Sequence, residues 1–146
     1  MQPPVMQAPA GRPTGATVIT VIEGILGVLF LLVGLFVGFI GGTLGSLAGA
    51  NGEAAAGGVL AGVGIVFGVI VIAIGVLYLL IAYGVWKARG WAWMLGMVVS
   101  IIVLVFAVLG LSGGVSVSTI ISIALPAIVV YFLWTPDVKR YLGRAA

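Results

Sequence analysis

Glu23, Glu53 and Asp137 are the only carboxylates in the 146 residues, and the chain has no Cys and no His. That inventory limits the chemistry sharply. Without Cys there is no disulfide, thiol nucleophile or thiolate metal site, and without His the commonest general base and metal ligand are missing. The three acids lie in three separate parts of the sequence, so paired-carboxylate catalysis or a carboxylate metal cage within one chain is not expected. Catalytic residues, cofactor-binding residues and metal ligands are therefore expected to be absent, and the chain is not expected to be an enzyme. Glycine pairs such as Gly62 and Gly64 follow no soluble strand and precede no Lys-Ser/Thr, so they do not make a phosphate loop.

Glu23 is the one ionisable residue inside an apolar run. An acid in such a position is a functional candidate by default. Three roles are open to it: a polar contact that holds helices together, through Thr20, Tyr83 or a backbone group; a contact to a partner subunit; or a proton or cation site.

The elements that must position Glu23 follow from composition. Hydrophobic residues make up 63% of the chain and charged residues 6%, far below the roughly 25% charged of a soluble domain. Nine formal charges cannot cover a water-facing surface, so lipid is the expected solvent. A helical span takes about 20 mostly apolar residues. Four stretches qualify, at about 16–40, 59–86, 91–111 and 115–134. Continuous apolar runs of this length exclude the alternating pattern of a closed barrel. The joining segments read as a Gly/Ala/Ser-rich loop over 41–58 and tight turns over 87–90 and 112–114. Such connections make sequential helices antiparallel neighbours. The expected fold is all-α, an integral membrane four-helix up-down-up-down bundle over 16–134. It is preceded by a flexible Pro-rich arm over 1–15 and followed by a basic tail over 135–146. The first apolar run is too long for the core of a cleaved signal peptide and is expected to stay.

Basic residues orient this layout. Arg12, Lys87, Arg89, Lys139, Arg140 and Arg144 all fall on one side of a four-span topology, which makes that side, and both termini, cytoplasmic. The same placement explains the net charge of +3 without a nucleic-acid partner. Trp86, Trp91, Trp93, Trp134 and Tyr131 gather at that boundary as a one-sided aromatic belt. The belt serves as an anchor or as a rim on which a partner docks.

Small residues mark the expected packing surfaces. Gly24, Gly27, Gly34 and Gly38 follow Thr20 and Glu23 along one face of helix 1, and Gly62, Gly64 and Gly68 lie in helix 2. Small-xxx-small spacings let helices approach closely in lipid. In helix 4, Pro126 is expected to kink the helix, with the Ser122 hydroxyl near the freed backbone groups. In the tail, Thr135 reads as an N-cap, Pro136 as the first helical residue and Gly143 as the stop of a short amphipathic helix lying at the interface; the alternative is a plain stop-transfer cluster of basic residues.

Three stretches resemble a known type. Arg12–Ile19 leading to Glu23-Gly24, Gly90-Trp91-Ala92-Trp93-Met94-Leu95-Gly96, and Thr135–Gly143 look like segments of small, uncharacterised four-helix membrane proteins of bacteria and archaea, of the domain-of-unknown-function type. The resemblance implies a tetraspan topology in a prokaryotic plasma membrane and transfers no functional residue. The function expected is that of a non-enzymatic structural or accessory subunit of a larger membrane complex, or of a homo-oligomer. The alternative is a small oligomeric channel or transporter using Glu23. The expected partners are the lipid bilayer and other membrane subunits or further copies of the chain; no cofactor is expected.

Overall fold

In the computed structural model the described residues are 11–109 and 116–143. They are all-α: α1 (Thr14–Ala50), α2 (Ala54–Trp86), α3 (Gly90–Leu109), α4 (Val117–Trp134) and α5 (Pro136–Tyr141), with no strand among them. Four of the five are long and apolar enough to cross a membrane. The chain is a multi-pass, four-helix membrane protein. Residues 1–10 of the Pro-rich arm, the turn expected at 112–114 and Arg144 lie outside the described residues.

By its internal contacts the chain divides into two units, one made of residues up to Ile22 together with Tyr83 onward, the other of Glu23–Ala82. The second unit is the α1–α2 hairpin. Its two helices run antiparallel with backbones nearly touching at successive levels: Gly27 meets Gly75 and Leu79, Gly34 meets Gly68 and Ile72, Gly41 meets Gly64, and Gly45 meets Gly57 and Ala61. A Cβ on Gly34 would sit 2.8 Å from the Gly68 carbonyl oxygen, and one on Gly68 would sit 2.7 Å from the Gly34 oxygen. Both distances are well inside van der Waals contact, so only glycine fits the seam.

This seam corrects the reading of 41–58 as a loop. α1 continues to Ala50 and α2 begins at Ala54, leaving Asn51–Glu53 as the turn. Glycine is a weak helix former alone. Paired glycines bring two backbones close enough for dispersion to hold both helical, and Gly41, Gly45, Gly57 and Gly64 are such pairs. The turn itself closes on Gly52 in the left-handed region (φ 89°), with Gly52 N–H donating to Gly49 O and Glu53 N–H to Ala48 O. That pattern is a Schellman C-cap.

The first unit contains α3, α4, α5 and the adjoining ends of α1 and α2. α2 ends in the same Schellman pattern, Ala88 N–H to Val85 O and Arg89 N–H to Gly84 O, but the left-handed position is held by Ala88 (φ 53°). α4 starts at Val117, where Ser116 takes the N-cap position and its hydroxyl accepts from Thr119 N–H. Pro126 is buried within a continuous α4. The Ser122 hydroxyl does not serve the backbone that Pro126 disturbs. It donates to Ser118 O at 2.8 Å, one turn earlier.

α5 begins and stops where its sequence signals put it, with Pro136 first and Gly143 left-handed (φ 71°) after it. Two details differ. Thr135 makes no side-chain cap; its hydroxyl donates to Phe132 O at 2.6 Å and finishes α4 instead. The apolar face of α5 turns inward as well. Val138 and Leu142 are fully buried, and Val138 and Phe132 crowd Gly15 so closely that an added Cβ would lie 2.9 Å from Val138.

Candidate functional site

Glu23 sits in the second unit, near the middle of α1's first half, and is 1% exposed. Its Oε2 is buried with no hydrogen-bond partner. Neither hydroxyl expected beside it is engaged with it. The Thr20 hydroxyl donates to Ala16 O at 2.8 Å, and Tyr83 is 51% exposed. Among the described residues the other buried polar side chain, Ser100, belongs to the first unit. Within the second unit Tyr78 is buried and stacks on Phe30 at 5.5 Å. No group of three metal-ligating acids exists among the described residues. A buried carboxyl oxygen without a donor costs free energy, on the order of 1–3 kcal/mol, so this position is either tolerated or used.

The second cluster lies in the first unit, where the chain meets the aromatic belt. The Arg12 guanidinium stacks over the Trp86 ring at 3.6 Å. Its Nη2 donates to Trp86 O at 3.3 Å and its Nε to the Tyr141 hydroxyl at 3.4 Å. The Tyr141 hydroxyl donates to the same Trp86 carbonyl at 3.2 Å. Arg12, two residues before α1, the last residue of α2 and the last of α5 are thus tied at one carbonyl. α3 and α4 have their own tie: Trp93 Nε1 donates to Leu133 O at 2.9 Å. Lys139 lies 4.6 Å over the Trp134 ring. Trp86, Trp91, Trp134 and Tyr131 are exposed.

The grooves are shallow. One of about 320 Å³ lies between Gly11, Pro13, Asp137, Arg140 and Tyr141. Another of about 450 Å³ runs along Val130, Tyr131, Trp134, Thr135 and Pro136. A third, of about 290 Å³ and wholly apolar in its side chains, lies on α2 at Gly62, Val63, Val66, Phe67 and Ile70.

The residues singled out from sequence are redistributed by this geometry. Gly27, Gly34, Gly64 and Gly68 form the α1–α2 seam; Gly38 is at ordinary contact distance from Gly68, and nothing lies within 4 Å of a Cβ on Gly24 or Gly62. Gly41, Gly45, Gly57 and Gly75 belong to the seam and went unselected. The signal for Gly41, Gly57 and Gly75 is a seven-residue period, Gly27-Gly34-Gly41 in α1, with Gly57-Gly64 and Gly68-Gly75 in α2; Gly45, four residues after Gly41, falls outside it. A period of seven keeps one stripe facing a left-handed neighbour. Arg12, read only as a topology charge, is half-buried and structural, while Lys87, Arg89 and Arg140 are exposed. No local pattern announces the Arg12–Trp86–Tyr141 tie, since its members are 74 and 55 residues apart.

No family model, curated protein or solved structure matches this chain.

Proposed function

We propose that the chain is a non-enzymatic structural or accessory subunit of a larger complex, or of a homo-oligomer, in a plasma membrane, with both termini in the cytoplasm. The observation that carries this reading is the length of the α1–α2 hairpin. At 1.5 Å per residue, α1 with 37 residues and α2 with 33 are about 55 and 50 Å long. α3 with 20 residues and α4 with 18, about 30 and 27 Å, just match a hydrocarbon core of roughly 30 Å. Even at the roughly 40° upper end of observed tilts, α1 rises about 42 Å, leaving about 12 Å beyond the hydrocarbon. The Arg12–Trp86 tie holds the other end at the basic boundary, so the excess falls at the Asn51–Glu53 turn. There Leu44, Leu47, Val59 and Leu60 are exposed and Glu53 is the only charge. Apolar side chains that stand clear of the hydrocarbon call for a protein neighbour.

The resemblance to small prokaryotic tetraspan proteins agrees with this reading. Blue-native electrophoresis in mild detergent, at native expression levels, tests it. The chain should run well above its 14.8 kDa, and Leu44→Ser with Leu47→Ser should shift it down. A monomer in both forms, with nothing co-purifying, removes the proposal.

A second reading, an ion- or proton-conducting oligomer, draws on the unpartnered Glu23 Oε2 alone. It requires proteoliposome flux that Glu23→Gln abolishes; no flux in the parent chain, or equal flux in the variant, ends it.

A further inference from the structure

Asp137 and Arg140 are three residues apart on α5, and both line the groove of about 320 Å³ beside Gly11, Pro13 and Tyr141. That spacing usually lets opposite charges pair on a helix. Here neither side chain has a hydrogen-bond or ion-pair partner among the described residues. The neighbouring cations are otherwise engaged, Arg12 over Trp86 and Lys139 over Trp134. The Tyr141 hydroxyl is engaged as well, with Trp86 O and Arg12. Among its described lining residues the groove therefore presents one unpaired carboxylate and one unpaired guanidinium, with no net side-chain charge between them, beside the entry of α1 and the exit of α4.

We propose that this groove binds the headgroup of a phosphatidylethanolamine-type lipid, with the phosphate on Arg140 and the primary ammonium on Asp137. The charge count selects this class. An anionic headgroup would satisfy Arg140 and leave Asp137 facing like charge. A zwitterion satisfies both. The ammonium must be primary, because a primary ammonium donates hydrogen bonds to a carboxylate and a quaternary one cannot. Quaternary amines are instead recognised by cages of several aromatic rings, and Tyr141 is the only ring among the described residues that line the groove. The lipid, and not the free headgroup, is the ligand because the groove opens at the membrane boundary. The apolar groove along Val130, Tyr131 and Trp134 starts at Pro136, one residue before Asp137, and offers a wall for an acyl chain.

The test is lipid retention by the full chain, delipidated and then equilibrated in mixed micelles with equal amounts of phosphatidylethanolamine, phosphatidylcholine and phosphatidylglycerol, read by native mass spectrometry. The parent chain should retain the ethanolamine lipid roughly three- to fivefold over the other two, the worth of one partly exposed charge pair. Asp137→Asn should abolish the preference over phosphatidylglycerol, and Arg140→Gln should lower retention of both. Millimolar free phosphoethanolamine should displace none of the bound lipid. Equal retention of the three lipids, a phosphatidylglycerol preference, unchanged selectivity in both variants, or displacement by the free headgroup would each overturn the proposal. The headgroup series on the parent chain reads out even if a variant folds poorly, and it is independent of oligomeric state.

Discussion

Gly34→Ala should weaken the α1–α2 hairpin, while Gly62→Ala should leave it unchanged or strengthen it. At Gly34 the new methyl would sit 2.7 Å from Ile72 Cγ1 and 2.8 Å from Gly68 O. Carbon contacts are comfortable at about 3.5–4.0 Å, so the overlap is on the order of 0.5–1 Å. Ile72 can rotate away; the Gly68 carbonyl cannot, because it belongs to a helix backbone. The helices must therefore separate locally by a similar amount. A gap of that size forfeits roughly a quarter to a half of each dispersion contact. Over a few tens of contacts at this level, the loss is about 1–3 kcal/mol, in line with other overpacked sites. Alanine's better helix propensity returns up to about 1 kcal/mol. The net expectation is about 1–2 kcal/mol of destabilisation. Gly62 meets nothing within 4 Å, so only the propensity gain, of up to about 1 kcal/mol, remains there. Reversible unfolding in mixed micelles with added dodecyl sulfate measures both. Far-UV circular dichroism is the signal to follow, since all four tryptophans lie outside the hairpin unit. The two variants moving in the same direction would refute the seam as the source of the hairpin's stability.

Three further outcomes follow from other parts of the chain. Ala88→Gly should stabilise the chain by up to about 1 kcal/mol in the same titration, because a left-handed L-residue costs roughly 1–2 kcal/mol and glycine returns part of this as lost chain entropy; a destabilised variant contradicts the C-cap assignment. Arg12→Ala should cost about 1 kcal/mol and red-shift tryptophan emission, through loss of the cation–π contact to Trp86, and unchanged emission counts against the contact. The chain has no cysteine of its own, so single cysteines report topology directly: Glu53→Cys and Lys87→Cys should react with an impermeant maleimide from opposite sides of intact vesicles, and labelling from one side would undo the span count.

Much of the fold is legible in the sequence because lipid imposes a simple rule. A backbone in hydrocarbon must satisfy its own hydrogen bonds, so apolar length becomes helix. Runs at 59–86 and 91–111 accordingly reappear in α2 and α3 almost unchanged. The rule fails at 41–58, where composition alone suggests a loop. What makes α1 and α2 continue there is the fit of one glycine backbone against another, visible only once the two helices are side by side. The same holds for α5. Its limits follow from Pro136 and Gly143, but its amphipathic pattern is equally compatible with a membrane surface and with a protein surface. Burial of Val138 and Leu142 shows that its apolar face packs on the chain.

The candidate sites divide along the same line. Glu23 is conspicuous in sequence as an acid in an apolar run, yet its surroundings were not readable. Thr20 turns its hydroxyl to Ala16 O and Tyr83 faces outward, so neither expected partner serves it. The Arg12–Trp86–Tyr141 tie, and the groove that Asp137 and Arg140 line together with Gly11 and Pro13, depend on segments far apart in the chain, which no periodicity connects.

What the sequence by itself determined is the solvent and the count: four stretches too apolar for water and long enough for a bilayer, with all basic residues at alternate junctions. Those are properties of single segments, and transfer free energy and hydrogen-bond satisfaction act on each segment alone. What only the tertiary structure decided is which glycines close a seam, which arginine is spent on a ring and which is left free. These depend on distances of a few tenths of an ångström between segments, and the steep repulsion and short range of packing forces make such choices only when the segments meet.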